Sequence, residues 1–206
     1  MSTATRQTLV DLLRHGEPVG GRRYRGQIDD PLSDKGWHQM RAATEGDAPW
    51  QAIVSSPLSR CRAFAEALST ERRLPLSFDE RLKEVGFGVW EGKTTEELKA
   101  LDPSCVLRFK QDPVAHRPPG AETLDVFHAR VGAAFEDLLA QHAGEHVLVV
   151  AHAGVMRMVI AHVLGLDPAR AYRLQIGSAA MARIRIEQEE AARHAALLWL
   201  TPGAGP

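Results

Sequence analysis

Arg14-His15-Gly16 follows directly on the apolar run Leu9-Val10-Asp11-Leu12-Leu13. A neutral imidazole is a nucleophile, a guanidinium is a fork for phosphate oxygens, and a glycine lets an anion approach the backbone. The same succession returns at His146–Ala151, which ends in His152-Ala153-Gly154. A third apolar run, Gln51–Ser55, leads through Ser56-Pro57-Leu58-Ser59 to Arg60. Arg60 therefore falls near a helix N-terminus, where backbone N–H groups and the helix dipole already favour anions. Taken singly, Arg60 reads as a surface arginine and His152 as a capped histidine at a strand end. Their matching contexts, each at the end of a short apolar run, point instead to phosphate chemistry.

Two further stretches hold reactive types. Arg81–Gly92 (RLKEVGFGVWEG) is a glycine-spaced loop with two carboxylates, Glu84 and Glu91, of the kind that folds tightly over something. Glu17–Pro31 carries Arg22, Arg23 and Arg25 close behind His15. These arginines are candidates to line a substrate entrance, against the plainer reading of a solvated loop.

The elements that must position these residues follow from periodicity. Residues 8–13 suit a strand buried on both faces of a parallel α/β sheet, whose carboxyl edge is where ligands bind. Ser33 is placed to cap a helix over 35–45. Strands are expected at 51–55, 75–78 (an edge), 146–151, 172–176, 181–186 and 195–200. Helices are expected at about 58–69, 94–101, 103–110, 123–142 (capped by Thr123, with a left-handed Gly144 just beyond) and 155–164. The alternation predicts one α/β domain over 1–206, a three-layer αβα sandwich around a mostly parallel sheet.

Composition narrows the function. A chain of 206 residues, 44% hydrophobic and 25% charged, reads as an ordinary globular protein. Its net charge of -1 gives no reason to expect nucleic acid or an anionic membrane. No apolar run approaches a membrane span, and MSTATRQ lacks the apolar core of a signal peptide, so a cytoplasmic location is expected. Cys61 and Cys105 have no metal-finger spacing and read as inert packed thiols; no metal site and no cofactor is expected. No stretch reads as an interface, and a homodimer stays open.

Leu13–Glu17, Ser55–Arg60, Glu84–Gly92 and Ala151–Gly154 occur in the order and spacing of the histidine phosphatase (phosphoglycerate mutase-like) superfamily, which the chain resembles from about residue 8 to 165. Within it, Tyr24-Arg25-Gly26-Gln27, Pro31-Leu32-Ser33 and Phe87–Gly92 are most similar to alpha-ribazole phosphatases of cobalamin biosynthesis. Two departures stand out. Pro18 replaces the usual threonine of R-H-G-E-T, and Val19-Gly20-Gly21 lacks the following asparagine, which puts two phosphate contacts in doubt. The P-G-G-E-S segment appears as Pro119–Thr123.

The resemblance implies a metal-independent reaction through a phosphohistidine on a small-molecule phosphate ester. His15 is then the nucleophile, with one ring N–H held by a backbone carbonyl. Arg14, Arg60 and a protonated His152 grip the phosphoryl oxygens. Glu84 is the general acid, with its pKa raised to hold a proton; spacing alone leaves Glu91 as its rival. Gly16, Gln27 and Ala153 join the substrate-binding set. Glu17 is expected to orient an arginine. Tyr24, Phe87 and Trp90 either pack a planar base or, as is commoner, build core. The leading substrate is alpha-ribazole 5′-phosphate, followed by a broad phosphatase and a phosphoglycerate mutase, for which the chain looks short of capping segments. A silent phospho-ligand binder is the non-enzyme alternative.

Overall fold

The computed structural model describes residues 6–46, 49–190 and 192–204. The first five residues of the MSTATRQ terminus and the last two of the Gly/Pro tail lie outside the described residues. In chain order the elements are β1 (Arg6–Arg14), α1 (Asp34–Ala43), β2 (Ala52–Ser55), α2 (Ser59–Arg72), β3 (Leu76–Phe78), α3 (Thr95–Leu101), α4 (Cys105–Gln111) and α5 (Leu124–Gln141). They continue with β4 (His146–Ala151), α6 (Ala153–Leu164), β5 (Met181–Glu189) and β6 (Ala192–Leu200).

The most apolar runs take the centre of one six-stranded sheet, ordered β3-β2-β4-β1-β5-β6. β3, β2, β4 and β1 are parallel neighbours; β5 runs antiparallel to both β1 and β6. β4 is buried along its whole length, as a strand covered on both faces must be. Alternate side chains divide between two cores. Val10, Leu12, Val147 and Val149 pack with Phe127, Phe135, Met156 and Ile160 of α5 and α6. Leu13, Leu148 and Val150 pack with Met40, Phe64 and Leu68 of α1 and α2. The expected three layers therefore form, with the chain entering helices at the carboxyl ends of β2 and β4.

Ser33 caps α1 by accepting the Gly36 N–H, and Thr123 caps α5 by accepting the Val126 N–H. Gly144 has the expected positive φ of 90°. A small third core of Trp90, Leu98, Val106 and Phe109, with Tyr24, Phe87 and Tyr172 against it, roofs the sheet's carboxyl edge.

One expected strand is absent. Residues 172–176 do not pair with the sheet: a 3-10 turn occupies Arg170–Arg173, and the chain then runs extended. Both edges of β1 are already taken by β4 and β5. The carbonyls of Leu174 and Ile176 instead accept hydrogen bonds from the side chains of Arg157 and Arg14.

Candidate active site

β1, β2 and β4 end side by side, and each hands the chain to a polar turn. The His15 N–H donates to Ala151 O and the Ser56 N–H to Val150 O, both at 2.9 Å, so the three turns are stitched together. This brings His15 and His152 edge to face, with ring centroids 5.2 Å apart. His15 Nδ1 lies 2.7 Å from Gly16 O. A carbonyl can only accept, so Nδ1 carries the proton and the Nε2 lone pair is free. Burial, reinforced by the charges of Arg14 and Arg60, holds His15 well below its ordinary pKa.

Arg60 stands in the first turn of α2, 1% exposed. Its Nη1 and Nη2 donate to Ile28 O and Gly26 O at 2.7 and 2.8 Å, and its buried Nε has no partner. Arg14 donates from Nη1 to Ile176 O at 2.8 Å, and its Nε is likewise buried and unpaired. Burial pulls the Arg14 guanidinium down to about 10. Two cations held by carbonyls, each with a donor to spare, form an arrangement suited to an anion.

Burial, with Arg60 and His15 beside it, holds the His152 pKa well below the ordinary value, so this imidazole is neutral before an anion binds. Its Nε2 lies 2.8 Å from Ser56 Oγ. No sequence signal marks Ser56 for this contact beyond its place in the segment that carries Arg60. Cys61 Sγ, 3.6 Å from the same nitrogen, donates to Ala151 O at 3.3 Å. Burial pushes that thiol up to about 12, in keeping with an inert packed cysteine.

Glu84 is brought to the same place by a clamp. Arg130 of α5 donates to Arg81 O, Lys83 O and Glu84 O at 2.6, 2.8 and 3.2 Å, while its Nε and Nη2 hold both oxygens of Glu122. Glu84 Oε1 accepts the Val85 N–H at 2.9 Å and Oε2 the Gly154 N–H at 3.1 Å. The carboxyl therefore lies against the first turn of α6, where Ala153 follows His152. Glu91 has a different place: its Oε1 accepts the Phe87 and Gln27 N–H groups at 2.9 and 3.2 Å, stapling two loops. Gln27 in turn donates from Nε2 to Glu84 O at 3.3 Å. The Arg130–Glu122 clamp had no sequence signal beyond the Pro119–Thr123 segment.

The expectation for Glu17 is corrected, and the remaining loop residues find their places. Glu17 pairs with Lys35 at 3.0 Å, not with an arginine. The space a Cβ on Gly16 would need is filled by Gly36 O, so helix packing demands this glycine. Of the loop arginines, Arg23 donates to Gly92 O, and Arg25 is buried on Asp30 and Val19 O. Arg22 is exposed, and its charge is felt at Arg14. Tyr24 stacks edge-on with Phe87 and Trp90 at 5.2 and 5.1 Å, so these rings build the roof. Among the described residues no group of three or more His, Cys, Asp or Glu side chains is arranged to hold a metal.

Residues 10–196 match the family model of the histidine phosphatase superfamily, branch 1. The chain belongs to that family. The match runs past residue 165 and takes in β5 and half of β6. A bifunctional protein of Mycobacterium tuberculosis, Rv2228c, is 35% identical over 181 residues, 84% of this chain and 49% of that protein. The chain thus spans about half the length of the mycobacterial relatives it matches. A probable phosphoglycerate mutase GpmB of Citrobacter koseri is 31% identical over 94% of this chain and 88% of its own. Among solved structures, mycobacterial glucosyl-3-phosphoglycerate phosphatase Rv2419c superposes with a TM-score of 0.81 at 28% identity, covering 95% of this chain and 98% of that one. The alpha-ribazole phosphatase of Shigella flexneri gives 0.76 at 25% identity, covering 96% and 98%. This member of the histidine phosphatase superfamily therefore has phosphatases among its structural neighbours, and their substrates differ. No helix among the described residues is long and apolar enough to cross a membrane.

Proposed function

We propose that the protein is a metal-independent phosphomonoester hydrolase that works through a phosphohistidine at His15. The observation that carries this reading is the His15 tautomer: Nδ1–H on Gly16 O leaves the Nε2 lone pair beside two guanidinium groups with unpaired donors. Nε2 attacks phosphorus in line, the P–O bond to the alcohol breaks, and Glu84 gives its proton to the departing oxygen. Arg14 and Arg60, with the Ser56-held His152, stabilise the equatorial oxygens as charge spreads over them. Glu84, now a carboxylate, takes a proton from water as that water attacks phosphorus. The P–N bond breaks and inorganic phosphate leaves.

For the substrate, likeness to the Shigella enzyme supports alpha-ribazole 5′-phosphate, and with it a role in cobalamin biosynthesis. A second reading, a phosphorylated glycerate or its sugar derivative, has the higher identity and TM-score of the glucosyl-3-phosphoglycerate phosphatase behind it. The edge-on packing of Tyr24, Phe87 and Trp90 also weighs against a stacked planar base.

Phosphate release in the presence of EDTA, comparing the parent with His15→Ala, tests the mechanism. The panel is alpha-ribazole 5′-phosphate, 3-phosphoglycerate, fructose bisphosphate and p-nitrophenyl phosphate. Release that survives EDTA and vanishes in His15→Ala is expected. Loss with EDTA, or full activity without His15, overturns the scheme. A clear preference for alpha-ribazole 5′-phosphate selects the first substrate reading, and isomerisation of phosphoglycerate without net release selects a mutase.

A further inference from the structure

Around Glu84 the site holds more positive charge than one phosphate group uses. Arg157 follows Gly154 by three residues on α6 and so shares its face of the helix. Its Nε and Nη2 donate to Leu174 O at 3.2 and 3.0 Å, and its guanidinium lies 5.6 Å from the centroid of the Tyr172 ring. Arg14 grips the same segment two residues on, at Ile176 O. The two arginines therefore line one seam, with Glu84 in electrostatic reach of both.

Their bonding is one-sided. Among the described residues, no carboxylate forms an ion pair with Arg14, Arg60, Arg117 or Arg157. A phosphate dianion is matched by Arg14 and Arg60, which leaves Arg157 and Arg117 over. Guanidinium groups withdrawn from water need a counter-ion. Tyr172 Oη and Arg117 Nη2, both buried, have no partner on this wall but each other: burial raises the pKa of the Tyr172 hydroxyl, while the charge of Arg117 and a hydrogen bond from it pull the other way. With Arg117 turned on the phenolic oxygen, the Tyr172 hydroxyl proton has no acceptor and stands beside a cation with no carboxylate, a donor set that suits an anion.

We infer that Arg157, Tyr172 and Arg117 form a second anion subsite, which receives a carboxylate carried on the alcohol that leaves with the phosphate. The inference rests on the hydrolase reading, because Glu84 protonates the leaving oxygen and the remainder of the alcohol then lies on the side of Glu84. An alcohol with no charge leaves Arg157 unpaired. A carboxylate a few bonds from the ester oxygen satisfies Arg157, gives the Tyr172 hydroxyl proton an acceptor and lies within reach of the Arg117 charge.

3-Phosphoglycerate and glycerol 3-phosphate differ by a carboxylate against a hydroxymethyl group, which makes them the probes. Their affinities are measured by calorimetry in His15→Ala, which forms no phosphohistidine, and again after adding Arg157→Gln, Arg157→Lys or Tyr172→Phe. The carboxylate ester is expected to bind about tenfold tighter in His15→Ala. That ratio falls to about one with Arg157→Gln, is kept in part with Arg157→Lys, and falls with Tyr172→Phe. Equal affinities in His15→Ala, or an unchanged ratio in the Gln and Phe variants, overturn the subsite. If Arg157→Gln fails to fold, the Lys and Phe variants decide. Turnover of p-nitrophenyl phosphate by the parent is followed separately: its absence defeats the hydrolase reading, while the binding ratio still judges the subsite.

Discussion

The Gly154 N–H donates to Glu84 Oε2 at 3.1 Å, and a Cβ on Gly154 would fall 2.1 Å from Glu84 Oε1. The nearest obstruction is the far end of a flexible side chain, and the Phe127 ring edge, 3.2 Å away, need give only slightly, so an alanine here displaces the carboxyl and leaves the backbone where it is. Gly154→Ala is expected to keep its thermal stability and lose its acid. Turnover of an alkyl phosphate should fall by about 10²–10³-fold, the range a general acid supplies. Turnover of p-nitrophenyl phosphate, whose leaving group departs as a stable phenolate, should fall far less. An equal loss on both esters would remove Glu84 from the proton-transfer step.

His15 and His152 are both held neutral by burial beside cations. A dianion bound between them favours the imidazolium form, so binding draws in a proton. Sulfate has no proton of its own to exchange near neutral pH and serves as the probe. Calorimetry in buffers of different ionisation enthalpy should show proton uptake on sulfate binding at about pH 7, lost in His152→Gln. The same lowered values have a sign for stability. Below the ordinary value of 6.5 the unfolded chain takes up protons that the native histidines refuse, so stability falls as pH drops through that value. Melting temperature should decline from about pH 6.5 towards 5, and less steeply in His15→Gln/His152→Gln.

What the sequence made legible are residues fixed by position along the chain. Arg14, His15, Arg60 and His152 each follow an apolar run, and burial of those runs brings their ends together whatever else happens. Glu84 needed the family resemblance, because its place depends on Arg130, 46 residues away and indistinguishable by type from a surface arginine. Tyr172–Ile176 alternates like a strand, yet β4 and β5 occupy both edges of β1 and two arginines hold its carbonyls. Charge states were the hardest to read. A histidine among arginines looks like a phosphate clamp from its neighbours, but its protonation is set by burial, which only the fold reveals. Glu17 was misjudged for the same reason, since its lysine partner lies on α1.

Gly16 and Gly36 face each other where α1 crosses the turn after β1. A Cβ on Gly16 would lie 2.2 Å from Gly36 O, and one on Gly36 would lie 2.2 Å from Glu17 O. Here the obstructing atoms are backbone, tied down by Ser33 Oγ on Glu17 O at 2.8 Å and by the Glu17 N–H on Gln39 Oε1 at 2.8 Å. Neither side has a rotamer to yield. Gly36→Ala should therefore cost about 3 kcal/mol, at the upper end for overpacking, and lower the melting temperature by about 10 °C. The contrast with Gly154→Ala is the point of the measurement: one glycine serves the acid, the other the frame. A Gly36→Ala protein as stable as the parent would mean that α1 can slide on the turn.

Asp11 lies in the middle of β1, buried and away from the reacting residues. Arg183 donates to both its oxygens at 2.7 and 2.9 Å, Trp50 Nε1 donates at 2.8 Å, and His146 Nε2 lies 3.0 Å away. Burial opposes its charge, but these partners prevail and hold its carboxyl at about 2, below the ordinary 3.8. The depressed value means that the contribution of Asp11 is complete above about pH 4, where the unfolded carboxyl is ionised too. It is lost as pH falls through the folded value. Asp11→Asn strips the charge from a network built around it and should destabilise by about 3 kcal/mol at neutral pH. The turnover of the folded fraction should stay within about twofold of the parent. The gap in unfolding free energy between parent and variant should close as the pH is lowered from about 4 towards 2. A gap that stays constant over that range would show that shape and hydrogen bonding, not the carboxylate charge, hold Arg183 and Trp50 against β1.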